Sequence, residues 1–154
     1  MIRSAGSVLL ALACLLPGPA DAAAPVPITI GETRTLAYAP GDLRQINVFL
    51  PDGYASGAKR YPVLYVIDGG LSQDFLHVAG ASALNGMWGR SLPAIVVGVE
   101  TKDRRAELIG SPGNAEQRKQ YPTAGRSAQF RAFLRDRVKP LVEANYRTSG
   151  QDGV

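Results

Sequence analysis

The chain has 154 residues, with 17 Lys and Arg against 13 Asp and Glu for a formal charge of +4, and it carries a single Cys and a single His. That length holds one domain at most, and 45% apolar with 19% charged residues excludes a disordered or fibrous chain. One Cys excludes a disulfide framework, and one His without a Cys cluster excludes the usual structural zinc sites, so neither a metal nor a cofactor is expected.

Residues 1–22 read as an export signal. Arg3 gives a positive start, Val8 to Leu16 is an unbroken apolar run, and Pro17-Gly18-Pro19 ends it. The run is too short to cross a bilayer, which takes about 20 apolar residues. Ala20-Asp21-Ala22 supplies the small-x-small cleavage pattern. A lipid anchor on Cys14 is set aside, because Ala11 rather than Leu stands three residues before it. Cleavage after Ala22 leaves 132 residues with no cysteine. The expectation is an exported chain, periplasmic or extracellular, with no stable membrane anchor. Residues 23–27 form a linker, and 28–154 belong to the folded domain.

Ile28 to Ile30 and Arg34 to Tyr38 alternate as an edge strand does, and Gln45 to Leu50 alternates more clearly before Pro51-Asp52-Gly53-Tyr54 turns the chain. Together they predict an antiparallel start to a sheet. Val63 to Ile67 and Ala94 to Val99 are apolar at nearly every position, as suits central parallel strands covered on both faces. Gln73 to Met87 supplies the crossover helix. Thr101 to Thr123 shows no periodicity and reads as a long loop, a feature more often functional than not. From Ala124 to Tyr146 the residues Phe130, Phe133, Leu134, Val138, Leu141, Val142 and Tyr146 fall on one helical stripe, with Pro140 expected to kink it.

Thr101 to Arg147 holds 11 bases and 5 acids. No aromatic interleaving or known motif accompanies them, so a solvated basic face is expected rather than a nucleic-acid site. After the last helix, Ser149-Gly150-Gln151-Asp152-Gly153 should deliver the chain into a further strand, and Val154 is the last residue. Two buried parallel strands need cover and neighbours on both sides. The expectation is therefore the front part of a longer α/β domain.

His77 is the sole histidine and is expected at the surface or core rim of the crossover helix. Ser72 follows a strand end, but Asp74 occupies the last position of G-x-S-x-G. The glycines form no G-x-G-x-x-G phosphate loop, which argues against a dinucleotide. Gly69 and Gly70 let the backbone turn tightly beyond the strand. A plain turn fits them, and so does a turn that presents N–H groups to an oxyanion.

Four segments, RQINVFLPDGY (44–54), YPVLYVIDGG (61–70), PAIVVGVE (93–100) and FRAFLRDRVKPLVEANYRT (130–148), resemble in order and spacing the N-terminal half of the Putative esterase family. This is the esterase D and enterochelin esterase-like branch of the α/β-hydrolase fold. The resemblance implies a three-layer sandwich, mostly parallel with antiparallel N-terminal strands, here truncated before the nucleophile elbow. It implies a serine carboxylic-ester hydrolase acting on a small-molecule ester, with the Ser, acid and His all beyond Val154, so that this chain alone is inactive. His77 precedes the nucleophile and cannot be the family's catalytic His. One oxyanion-hole N–H is implied at Gly69, Gly70 or Leu71. Arg104 and Arg105 match an Arg-containing loop beside the substrate, although Leu108-Ile109-Gly110-Ser111-Pro112 replaces the usual Leu-Thr-Pro. The alternative is an exported, non-catalytic binding or interaction protein on the same fold.

Overall fold

The structure is a computed structural model that describes residues 24–150; the export signal expected over residues 1–22 lies outside the described residues. Alternation in the first part of the chain produces strand β1 (Glu32–Ala39), with Arg34, Leu36 and Tyr38 turned inward and Thr33, Thr35 and Ala37 exposed. It turns at Gly41, whose φ of +72° suits glycine, into antiparallel strand β2 (Asp42–Phe49). Ile28 to Ile30 do not form the expected strand. The ladder begins with Glu32 opposite Val48, β2 ends one residue later, and nothing remains for the earlier residues to pair with. Ile28 is 91% exposed.

The two apolar runs become β3 (Val63–Ile67) and β4 (Ile95–Val99), paired in parallel. The four-stranded sheet has the order β1-β2-β4-β3, with β2 and β4 antiparallel. Every residue of β4 is buried, as expected for a strand covered on both faces. β3 departs from that expectation. It stands at the end of the sheet, and Leu64 is 42% exposed beside an open apolar groove of about 560 Å³ that it shares with Val78 and Leu92.

Helix α1 (Phe75–Met87) crosses from β3 to β4 and packs Phe75 and Ala79 on Val66 and Val96. The stretch from Thr101 to Thr123, expected to be irregular, contains α2 (Arg104–Leu108) and α3 (Ala115–Gln120). Both are short helices with an Asx cap: Ala106 N–H donates to Asp103 and Gln117 N–H to Asn114. No residue of α3 is buried, which is why an apolar period does not mark it.

The predicted long helix is present in three parts, α4 (Ser127–Phe133), a π-helical turn at Leu134–Val138, and α5 (Lys139–Asn145). Pro140 has no N–H to donate and its ring crowds the carbonyl one turn back. The wide turn just before it is where the helix accommodates that defect. Phe130, Phe133, Val138, Val142 and Tyr146 join Ile46, Val48, Ile95, Val97 and Val99 in the larger core. Helices therefore lie on both faces of the mixed sheet, giving three layers.

Beyond α5 the chain returns to β3. Tyr61 N–H donates to the Arg147 carbonyl at 2.9 Å and Ser149 N–H to the Tyr61 carbonyl at 2.8 Å, a parallel bridge between Tyr61 and Thr148 on the side of β3 away from β4. Arg147 stacks on Tyr54 and donates to the carbonyls of Lys59 and Tyr54. These bonds explain the Tyr146-Arg147-Thr148 segment as an anchor. Among the described residues, no helix is long and apolar enough to cross a membrane.

Gly98 in β4 lies against Gly69 and the Phe75 ring, so closely that a Cβ would overlap the Gly69 carbonyl oxygen. Gly98→Ala is expected to cost about 2–3 kcal/mol in urea unfolding, as overpacking does. In α1, a Cβ on Gly80 meets nothing within 4 Å, and Gly80→Ala is expected to gain about 0.5–1 kcal/mol. Equal effects at the two positions would contradict the close approach.

Candidate active site

In open α/β sheets ligands collect beyond the carboxyl ends of parallel strands, where successive crossovers leave in opposite directions. Here β3 leads through α1 to β4 on one side, and β4 leads through α5 to Thr148 on the other. The switch point is thus the pair of strand ends at Ile67 and Val99, which face each other in register. Asp68 to Gln73 follow the first end and Glu100 to Leu108 follow the second. The structure brings together there the turn with Gly69, Gly70 and Leu71 and the loop with Arg104, both singled out from the sequence.

Asp68 has a φ of +57°, a conformation that costs a non-glycine residue about 1 kcal/mol and is best tolerated by Asp and Asn. Its side chain shows what holds it there. One carboxylate oxygen accepts from the Thr101 hydroxyl and the other from Arg104 Nε, while its carbonyl accepts from Asp74 N–H at 2.8 Å. Arg104 is thus committed to the turn through its Nε, although its side chain remains 73% exposed. Arg105 is exposed, and its side chain makes no ion pair among the described residues.

The three candidate donors differ sharply. Gly69 N–H donates to the Val99 carbonyl at 2.9 Å and its carbonyl accepts from Asn47 Nδ2 at 2.8 Å, so this peptide is part of the sheet. Gly70 N–H donates to the Gln73 side-chain oxygen at 2.8 Å. The Leu71 N–H makes no hydrogen bond among the described residues, and Leu71 is 49% exposed. Gly69 is therefore occupied by structure, Gly70 by a replaceable side chain, and Leu71 by nothing.

Three residues that hold this turn were not evident in the sequence. Asn47 is fully buried in β2 and accepts from Thr33 at 2.7 Å; its signal is a polar residue between Ile46 and Val48. Gln73 donates to the Thr101 carbonyl and hydroxyl at 2.9 and 3.2 Å. Thr101 is buried two residues past the end of β4. His77 is exposed on α1, as expected, and Ser72 is exposed beside the turn. Arg131 and Arg135 on the long helix are exposed, with Arg135 paired to Asp136 at 2.6 Å, in keeping with a solvated basic face. Among the described residues, no group of three or more His, Cys, Asp or Glu could hold a metal ion.

The α2 loop is itself stapled to the sheet. Arg44 of β2, 1% exposed, donates to both oxygens of Glu107, also 1% exposed, at 2.6 and 3.1 Å. Removing either partner would strand a buried charge, which costs about 3–5 kcal/mol. Burial opposes the Arg44 charge, and the carboxylates of Glu107 and Asp42 outweigh it, raising its pKa further. Lys102 N–H adds a bond to Glu107 at 3.3 Å. One bidentate pair thus places Arg104 and Thr101 where they meet Asp68.

A family model described as Putative esterase matches this chain from residue 38 to residue 154. The chain belongs to the Putative esterase family. Solved structures similar to this esterase-family chain include an IroE-like serine hydrolase from Shewanella oneidensis, at 23% identity and a TM-score of 0.66 over 78% of this chain and 40% of that one. The siderophore hydrolase EstA from Aspergillus nidulans matches at 21% identity and a TM-score of 0.66 over 82% of this chain and 49% of that one. The BES protein from Bacillus cereus matches at 22% identity and a TM-score of 0.63 over 85% and 52%. At such identities the likeness carries the fold, an α/β fold with a mixed sheet. The esterase-family chain spans about two fifths to a half of the length of these structures. A search of curated proteins gave no match.

Asp42 joins the staple from its exposed side, accepting from Arg44 at 2.8 Å and from Lys102 at 2.9 Å. The hydrogen bond from Arg44 is the main reason its carboxyl is held down to about 2 from 3.8. A carboxyl that titrates lower when folded stabilises fully above its unfolded pKa and loses that contribution as pH falls from about 4 towards 2. With the side chain 27% exposed, solvent screening reduces the contribution to about 1 kcal/mol. Asp42→Asn is expected to lower stability at pH 7 by that amount and to flatten the pH dependence of the urea midpoint between pH 4 and 2. An unchanged pH profile would remove Asp42 from the staple.

Proposed function

We propose that this chain is the N-terminal half of an exported serine carboxylesterase, and that its turn after β3 supplies one side of the oxyanion hole. The observation that carries the proposal is the pair of N–H groups at Gly70 and Leu71, at the sheet's switch point, outside the ladder that absorbs Gly69 N–H. Such donors stabilise the negative charge that develops when a nucleophile adds to an ester carbonyl. Family membership and the likeness to solved structures of a serine hydrolase and a siderophore hydrolase support the reaction class.

In this reading the parallel bridge at Thr148 is the start of the strand that leads to the nucleophile elbow. The serine, its base and its acid then lie past Val154. The serine would attack the acyl carbon, the oxyanion would rest on the turn and on the N–H following the serine, and collapse would release the alcohol and leave an acyl-enzyme for water to cleave. Asp68 with Thr101 and Arg104 would hold the turn in shape. Arg105, exposed and without an ion pair among the described residues, would be the arginine of the two that is freer to meet a polar acyl group. The substrate is a small-molecule ester, and no cofactor or nucleic acid takes part. Export follows from residues 1–22, with the mature chain starting at Ala23.

Two measurements test this. Reading the gene past Val154 is expected to reveal an apolar strand followed by G-x-S-x-G; a stop codon, or an elbow without Ser, would favour a binding protein on the same fold. The purified 154-residue chain is expected to release no more chromophore from a short-chain nitrophenyl ester than a heat-killed sample does, because it lacks a nucleophile and base. Turnover above that control would overturn the assignment of the chemistry to residues beyond this chain.

A further inference from the structure

Gln73 does more than cap a turn. Its side-chain oxygen accepts the Gly70 N–H at 2.8 Å while its amide nitrogen donates to the carbonyl and hydroxyl of Thr101. The carboxamide thus sits in the switch-point crevice with a carbonyl oxygen on the very N–H that an ester oxygen would use. Gly70 is not in the left-handed region, so its backbone angle does not demand glycine. The nearest neighbour is the carboxamide: a Cβ there would lie 2.7 Å from the Gln73 oxygen and 3.3 Å from its carbonyl carbon, so a side chain at this position would push the carboxamide off the N–H. The absence of a side chain at Gly70 leaves room for a planar carbonyl group to come up to that N–H.

We infer that Gln73 is a positioning residue, the resting occupant of the oxyanion-binding N–H, exchanged for the substrate's oxygen as charge develops on it. The inference rests on the oxyanion-hole reading given above. A neutral ester carbonyl only matches the carboxamide as an acceptor and gains little by displacing it. An oxyanion accepts about twice as strongly, so it displaces Gln73 with a net gain. With the carboxamide in place the neutral ester gains little at this N–H, and only the charged tetrahedral species gains a net bond there. The difference between the two states on which catalysis depends is thereby kept, while binding of the uncharged ester is not strengthened. Leu71 N–H, unbonded at the exposed tip, is positioned in sequence to add a second bond as the oxygen enters.

The test is an NMR titration of the ¹⁵N-labelled chain with acetate, a small oxyanion, read at the Gly70 and Leu71 amides. In Gln73→Ala the Gly70 proton resonance is expected to move upfield as its bond is lost. Acetate is then expected to shift both amides at about tenfold lower concentration than in the wild type, the ratio that a hydrogen bond of ordinary net strength implies. Gln73→Met, which keeps the side-chain length without the acceptor, should behave alike, and a cooperative circular-dichroism melt establishes that each variant is folded. Equal acetate midpoints in wild type and variants, or an unmoved Gly70 resonance, would overturn the inference and leave the oxyanion-hole reading standing. Variants that lose the Gly70 bond yet show no acetate shift at either amide would overturn the oxyanion-hole reading itself.

Discussion

The arrangement of this molecule depends on how closely two backbones approach at Gly69 and Gly98. Neither position has room for a side chain, and the space is filled by hydrogen bonds: Gly69 N–H to Val99, and Asn47 to the Gly69 carbonyl. A residue just past the end of a strand is ordinarily free to wander. Here it is tied to β4 and to β2 at once, so the chain leaves the sheet in a fixed direction. The next N–H groups, at Gly70 and Leu71, inherit that direction.

The second half of the arrangement comes from a charge buried with its partner. Arg44 and Glu107 are both shielded from water, and their bidentate pairing repays desolvation only because nearly every donor and acceptor is used, with Asp42, Lys102 and the Glu100 carbonyl completing the set. The pair fastens α2, a helix too short to persist on its own, to the middle of the sheet. From that position Arg104 and Thr101 reach Asp68 and hold its left-handed backbone. Tertiary ion pairing thus stabilises a local strain, and the strain sets the shape of the turn.

Much of this was legible in the chain's own pattern. Nearly continuous apolar runs after Pro62 and Pro93 marked β3 and β4 to within a residue, because a buried strand needs little beyond apolar side chains and a boundary. Pro140 marked the place where the long helix departs from α geometry. Ile28 to Ile30 misled because alternation states which face a residue would show and not whether a partner strand reaches it. The helix α3 escaped because it buries nothing, and α2 because its five residues are too few to show a period and what it buries is Ala106 and the charged Glu107; the Asp103 and Asn114 caps were the available signal. The strand-end rule and the family resemblance pointed to the Gly69–Leu71 turn as a candidate site, but the residues that support that turn were not legible. Asn47, Gln73 and Thr101 act through partners 22 to 33 residues away in two of their bonds, and nothing in a local pattern names a partner at that distance.

The most direct test of this account is native-state amide hydrogen exchange across Ile67 to Gln73. A peptide bound into the sheet opens only with the sheet, whereas an exposed, unbonded N–H exchanges without any opening. Gly69 is expected to be protected to the same degree as Val97 in the centre of β4, and Leu71 to exchange at nearly the rate of an unstructured peptide. Gly69 exchanging as freely as Leu71 would contradict it, since the turn would then have no fixed direction in which to present its N–H groups.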